Sequence, residues 1–312
     1  MRTGFRKRSM GLIAGFAASA LVLAACGENG DTGAEEGNGD GNGVGEGQDI
    51  TIGVFSGWEE GIASSYLWGH ILEEEGFNVT YETADPGPIY QAVSQGQYDF
   101  STDAWLPSTH EDYWADLGED MEDLGTWYDD APLTIAVNED APIDSLTELA
   151  DNADEFNNKI VGIEPGAGLT RITKEEVIPT YGLEDMEFAE SSTPAMLAEL
   201  EGAIDSGENV VVTLWRPHWA YEAFPIKDLE DPENALGDPE EIHLFGRDGF
   251  SEDYPEVAEW AGNFTMTLEQ LSSLEEIMFN QNDGEKNEES VEQWLEDNPD
   301  FVEDLKAGEL SG

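Results

Sequence analysis

Short apolar runs alternate along most of this chain with stretches whose apolar positions recur at helical spacing. Asp49–Phe55 (DITIGVF) reads as a buried strand, and Ile62–Glu75 behind it puts Ile62, Tyr66, Leu67, His70 and Ile71 on one helical face. A strand over Asn78–Glu82, a short helix over Pro88–Ser94 and a strand over Tyr98–Ala104 complete a βαβαβ series, which predicts a parallel sheet. A second series runs from a strand at Lys159–Ile163 through a helix at Leu169–Thr180, a strand at Met186–Ala189 and a helix at Pro194–Ala203 to the strongly apolar Asn209–Trp215. Leu133–Val137 and a loop-rich stretch lie between the two series. Ile242–Phe245 reads as a returning strand. Amphipathic helices follow near Pro255–Ala261, Leu268–Phe279, Ser290–Leu295 and Asp300–Lys306. The pattern predicts an α/β protein of two lobes, each a mostly parallel sheet flanked by helices, with a ligand cleft between them. Lobe 1 is expected over about 49–135 plus 240–312, and lobe 2 over about 136–239.

The first 26 residues have a different pattern. Arg2, Arg6, Lys7 and Arg8 precede an apolar run, Gly11 to Ala25, of about fifteen residues. A membrane span needs roughly 20 residues, so the segment is expected to be a removable signal peptide. Leu23-Ala24-Ala25-Cys26 resembles a bacterial lipobox, which implies cleavage before Cys26 and a diacylglyceryl anchor on it. Cys26 is the only cysteine, which excludes disulfides and cysteine-based metal or nucleophile sites. Residues 27–48, rich in Gly, Glu, Asp and Asn with Val44 as the one large apolar residue, read as a flexible tether. The expected location is extracytoplasmic, lipid-anchored to the cell membrane.

Charge narrows the partners further. Beyond residue 26 the chain carries 8 basic and 70 acidic side chains, a net charge of −62. Such a field repels nucleic acid and anionic membrane surfaces. The acids are spread evenly, as a solvated surface adapted to high salt requires, and the fold is expected to weaken at low ionic strength. No calcium loop of the D-x-[DN]-x-[DN]-G type is present, and no metal or cofactor site is expected.

The candidate chemistry sits at strand ends, where open α/β sheets bind their ligands. Trp58, Trp105 and Trp215 each follow a strand, in Gly57-Trp58-Glu59-Glu60, Asp103-Ala104-Trp105-Leu106-Pro107 and Thr213-Leu214-Trp215-Arg216-Pro217-His218-Trp219. Three indole faces converging on one point would hold a cation that cannot donate a hydrogen bond, which points to a quaternary ammonium. Glu164-Pro165-Gly166-Ala167-Gly168-Leu169-Thr170 runs from a strand into a helix, so the Gly168 and Leu169 amides are candidates for an anion. His110, five residues after Trp105, could add a hydrogen bond to a carboxylate. Trp219 and His218 are candidates to support the cage, with packing the alternative for Trp219, and Arg216 is a candidate for an ion pair across the cleft mouth, with an ordinary surface pair the alternative. Trp68, Trp114, Trp127, Trp260 and Trp294 read as structural.

The segments GWEEGIASSYLW, GPIYQAVSQGQYDFSTDAWLPSTH, DLGTWYDDAPL, KIVGIEPGAG, SSTPAMLAEL and VVVTLWRPHWA resemble, in order and across nearly all of 49–312, the glycine betaine/proline betaine-binding proteins of ABC importers. The resemblance implies a periplasmic-binding-protein fold of type II closing on a betaine. Trp58, Trp105 and Trp215 would cage the trimethylammonium group, and His110 with the Gly168 and Leu169 amides would hold the carboxylate. It also implies delivery to a membrane permease with its ATPase, and no enzymatic activity. Choline, carnitine or ectoine are alternative ligands for the same receptor. A secreted hydrolase is a rival reading of an aromatic-lined cleft, but no G-x-S-x-G, H-E-x-x-H or Ser/His/Asp arrangement supports it.

Overall fold

A computed structural model describes residues 43–311. Cys26, the signal segment and most of the expected tether lie outside the described residues. The tether's last residues, 43–48, form a turn bonded to the end of the first helix: Gly45 N–H donates to the Glu75 carbonyl at 2.8 Å and Gly47 N–H to Gly76 at 2.7 Å.

Ten strands form two five-stranded sheets. The first contains β1 (Asp49–Phe55), β2 (Asn78–Ala84), β3 (Phe100–Leu106), β4 (Met121–Ala131) and β10 (Glu240–Arg247), in the order β2-β1-β3-β10-β4. The second contains β5 (Leu133–Asn138), β6 (Lys159–Val161), β7 (Glu187–Ala189), β8 (Val211–Trp215) and β9 (Ile226–Asp228), in the order β7-β6-β8-β5-β9. The chain passes from the first sheet to the second at Ala131–Leu133, so β5 lies wholly in the second sheet. It returns between β9 and β10.

Both sheets are mixed rather than mostly parallel. β1 is parallel to β2 and β3, and β6 to β7 and β8. β10 is antiparallel to β3 and β4, and β5 to β8 and β9. The inverted strand in each sheet is the one that follows a crossing. It enters from the end facing the other sheet, and therefore runs against its neighbours. Leu133 at the start of β5 thus pairs with Trp215 at the end of β8, and Glu241 near the start of β10 with Leu106 at the end of β3.

β1, β3, β5 and β8 are buried over nearly their whole length, and the helices Glu59–Glu74 and Pro86–Ser94 both pack against β1 and β3. The helix Glu59–Glu74 buries Ala63, Leu67, Trp68, Ile71 and Leu72, and packs against the C-terminal helices Leu268–Glu275 and Asn287–Asp297. The segment Gly168–Ile172 continues through a π turn, Thr173–Val177, into Ile178–Tyr181. Pro179 lacks the N–H that would complete an α turn there. Among the described residues, no helix is long and apolar enough to cross a membrane.

Candidate ligand-binding site

The strand ends of the two sheets face each other across a small cavity walled by Trp58, Trp105, His110, Leu169 and Trp215 together with Glu60, Thr109, Leu133, Ile163 and Ala167. Trp58 caps the start of the helix Glu59–Glu74, while Trp105 and Trp215 stand at the ends of β3 and β8, equivalent positions in the two sheets. All three are at least 95 % buried, at 5, 3 and 3 % exposure. The Trp58 and Trp215 rings meet edge to face at 6.5 Å and 63°, and His110 stacks on Trp58 at 5.4 Å and 7°.

Each indole N–H is aimed by a carboxylate. Trp105 Nε1 donates to Asp103 Oδ1 at 2.8 Å, Trp215 Nε1 to Glu60 Oε2 at 2.9 Å, and Trp58 Nε1 reaches Glu164 Oε2 at 3.5 Å. Two of these bonds cross the cleft in opposite directions. Trp58 on the first sheet's side turns to Glu164 after β6, and Trp215 on the second sheet's side turns to Glu60 on the first helix. Glu164 is itself held by the Thr193 N–H at 2.7 Å and the Thr193 hydroxyl at 3.0 Å. These cross-cleft bonds fix the orientation of two of the three rings. The sequence reasoning missed all three carboxylates. Asp103, a charge within a buried strand run and two residues from Trp105 on the same face, was the available signal.

His110 is held at both ends of its loop. Its backbone N–H donates to the Trp105 carbonyl at 3.0 Å, and its Nδ1 accepts the Trp105 N–H at 2.9 Å. Burial, with the positive Arg171 nearby, depresses the imidazole to about 3, so the ring is neutral. With Nδ1 accepting, the proton sits on Nε2, which is buried and has no partner within the protein. An orphaned N–H in the cavity wall is a donor awaiting an acceptor.

Gly168 begins the helical segment, and the first amides of a helix have no intrahelical acceptor. Leu169 lines the cavity, whereas Gly168 stands beside it, against the Thr109 carbonyl, where a Cβ would collide. The loop carrying Thr109 is pinned from both sides. Glu240 accepts the Ser108 N–H at 2.6 Å, the Thr109 N–H at 2.9 Å and the Thr109 hydroxyl, while Arg171 Nη2 donates to the Ser108 carbonyl at 2.8 Å. Tyr113 adds a further cross-cleft bond to the Gly166 carbonyl at 2.9 Å.

Arg216 does not bridge the cleft. It pairs with Asp228 at 2.8 Å within the second sheet and lies over the Tyr221 ring at 3.4 Å. Trp219 stacks on His218 at 5.9 Å, outside the cavity wall. Trp68, Trp127, Trp260 and Trp294 are core residues, and Trp114 packs partly buried against Phe245.

Residues 48–297 match the family described as the substrate-binding domain of ABC-type glycine betaine transport systems. A glycine betaine/carnitine transport binding protein of Listeria monocytogenes is 38 % identical over 164 residues, 52 % of either chain, so the match spans about half the length of that curated relative. The crystal structure of lactococcal OpuAC, in a closed form complexed with glycine betaine, is 28 % identical with a TM-score of 0.76 and covers 83 % of this chain and 99 % of its own. A choline-binding protein of an ABC transporter, solved with choline, is 26 % identical with a TM-score of 0.76 and covers 83 % of this chain and 92 % of its own. With two facing α/β sheets, three indoles at their strand ends and a family match over most of its length, this chain belongs to the substrate-binding proteins of glycine betaine ABC transport systems.

Proposed function

We propose that this protein captures glycine betaine, or a close relative carrying both a quaternary ammonium and a carboxylate, and hands it to a membrane permease and its ATPase. The observation that carries the reading is one cavity walled by three indoles and by an orphaned, buried imidazole N–H. Trp58, Trp105 and Trp215 hold the trimethylammonium group, each contact contributing about 0.5–2 kcal/mol when desolvated. His110 Nε2–H and the Gly168 and Leu169 amides hold the carboxylate, each charge-assisted bond contributing about 1.5–3 kcal/mol. Together these suffice for micromolar binding, which requires about −8 kcal/mol net. Lobe 1, with the first sheet, and lobe 2, with the second, close on the ligand, and the permease reads the closed form.

Cys26 carries the lipid that keeps the receptor at the outer face of the membrane, and the acidic Gly-rich segment after it is the tether. The apolar run ending in Leu23-Ala24-Ala25-Cys26 supports this part of the reading. Choline is the second reading, favoured by the Glu60 carboxyl in the cavity wall. It would leave the His110 N–H and the helix amides unpartnered, so betaine is preferred.

Trp105→Ala and Trp215→Ala are each expected to weaken betaine binding at least about tenfold, at the level of one desolvated cage contact, with thermal unfolding still cooperative. Normal affinity in either variant would remove that ring from the cage.

A further inference from the structure

Around the indoles lies a cluster of buried carboxylates, two of which, Glu60 and Asp103, also aim cage rings. Glu59 and Glu60 open the helix Glu59–Glu74, Asp103 sits in β3, and Glu275 ends the helix Leu268–Glu275. All are buried, and Glu60, Asp103 and Glu275 are 1, 1 and 0 % exposed. Glu59 Oε2, Asp103 Oδ2 and both oxygens of Glu275 have no hydrogen-bond partner. No lysine or arginine compensates them, because each of the eight beyond residue 26 pairs with a carboxylate elsewhere. Nor is a metal site formed: among the described residues no group of three or more His, Cys, Asp or Glu is placed to hold an ion. Carboxylates packed this way without counter-charge cannot all stay ionised.

The layer is covered from the other side of the cleft by the segment after β8. Trp215 Nε1 donates to Glu60, the Trp219 backbone N–H faces Glu275, and His218 Nε2 lies 3.2 Å from Glu59 Oε2, too oblique for a hydrogen bond. The other titratable groups facing the layer carry no charge at neutral pH. They are His110, Tyr90 beside Asp103, and Tyr128 beside Glu275, the two tyrosines being raised chiefly by burial.

We propose that Glu60, Asp103 and Glu275 form a proton-binding site completed by lobe closure, so that ligand capture takes protons from solution. The proposal rests on the two-lobed capture reading above. In the closed form burial lifts Asp103 to about 7. Burial together with neighbouring acids (Asp103 and Glu275 for Glu60, Glu59 for Glu275) lifts the two glutamates well above the ordinary carboxylate range. When Trp215–Trp219 withdraws with its lobe, water reaches the layer and the carboxyls release their protons. A group whose acidity is weakened in the closed state favours closure at low pH. Affinity therefore falls as pH rises from the ordinary carboxylate range, about 4, through about 7 and beyond, by up to about tenfold per pH unit for each proton linked.

The test is calorimetric titration of glycine betaine into the mature protein in molar salt, at about pH 7.5, in two buffers of different ionisation enthalpy. Uptake of about half a proton or more per ligand is expected, with affinity falling severalfold between about pH 6 and 8.5. Glu275→Gln and Asp103→Asn, the latter keeping an acceptor for Trp105, should each reduce the uptake and flatten the pH profile, while His218→Gln should retain both. Betaine binding with a buffer-independent enthalpy and a flat profile would overturn the proposal. So would uptake lost in His218→Gln but kept in the two acid variants. Absence of betaine binding at every pH would overturn the functional reading as well.

Discussion

On the proposed assignment, His110 would discriminate between a betaine and a simple quaternary amine. Its Nδ1 is committed to the Trp105 amide, so Nε2 can only donate, and it donates to nothing within the protein. His110→Ala is expected to weaken glycine betaine by about 10–150-fold, the loss of one charge-assisted hydrogen bond, while leaving choline within about threefold. Equal losses for the two ligands in parallel titrations would place His110 outside the carboxylate pocket. The low pKa, about 3, also fixes a sign. The buried ring resists protonation that the unfolded chain accepts, so it costs stability as pH falls from its ordinary value of about 6.5 toward 3. It remains a neutral donor across that window, so a fall in affinity above neutral pH has another source. The aromatic half of this site was legible in the sequence because three Trp follow apolar strand runs. The carboxylates that aim the rings were not: Glu60, Asp103 and Glu164 stand among 70 acids, and only burial separates them from the solvated majority.

The two sheets present equivalent elements. β1 and β6 each lead into the turn that starts a helix, carrying Trp58 on one side and Gly168 on the other, while β3 and β8 each end in a Trp. Gly168 is a point of close approach between the two sides. A side chain there meets the Thr109 carbonyl, on a loop that Glu240 and Arg171 hold in place and that cannot retreat. Gly168→Ala is expected to cost closure about 1–3 kcal/mol by overpacking, hence about 5–150-fold in betaine affinity. The unfolding temperature of the ligand-free protein should be unchanged, and full affinity would show that the contact is not made in the bound form. Most strands and the longer helices were legible from periodicity, β1 to the residue and those helices to within a turn, while Glu111–Leu117 and the four-residue helices were not. β4 was not, since its run MEDLGTWYDDA mixes four acids with a glycine at φ +133° and pairs with β10 through register shifts that break the period of two. β9, Ile226–Asp228, carries two charges in three residues and offers no apolar run. The mixed character of the sheets was hidden for another reason: local pattern reports strands, while direction depends on where the chain crosses between lobes.

At the scale of the whole molecule, charge and closure act on different surfaces. All eight basic residues beyond residue 26 are in ion pairs, leaving the excess of acids to solvent on the outside and, at the lobe contact, to the unpartnered layer behind the cage. The contact between lobes is correspondingly polar and directional: two indole–carboxylate bonds, Tyr113 to Gly166, and Arg171 to Ser108 and its acidic neighbours Glu111 and Asp112. Such bonds are made and lost together as a cleft shuts, which suits a receptor that must also release its cargo. The measurement that tests this account most directly is a calorimetric titration of glycine betaine and of choline into the mature protein in molar salt. Micromolar binding of betaine with choline weaker by about tenfold or more is predicted, since on the proposed assignment only betaine would fill both the indole cage and the carboxylate pocket. Choline binding as tightly as betaine, or neither binding at all, would contradict it.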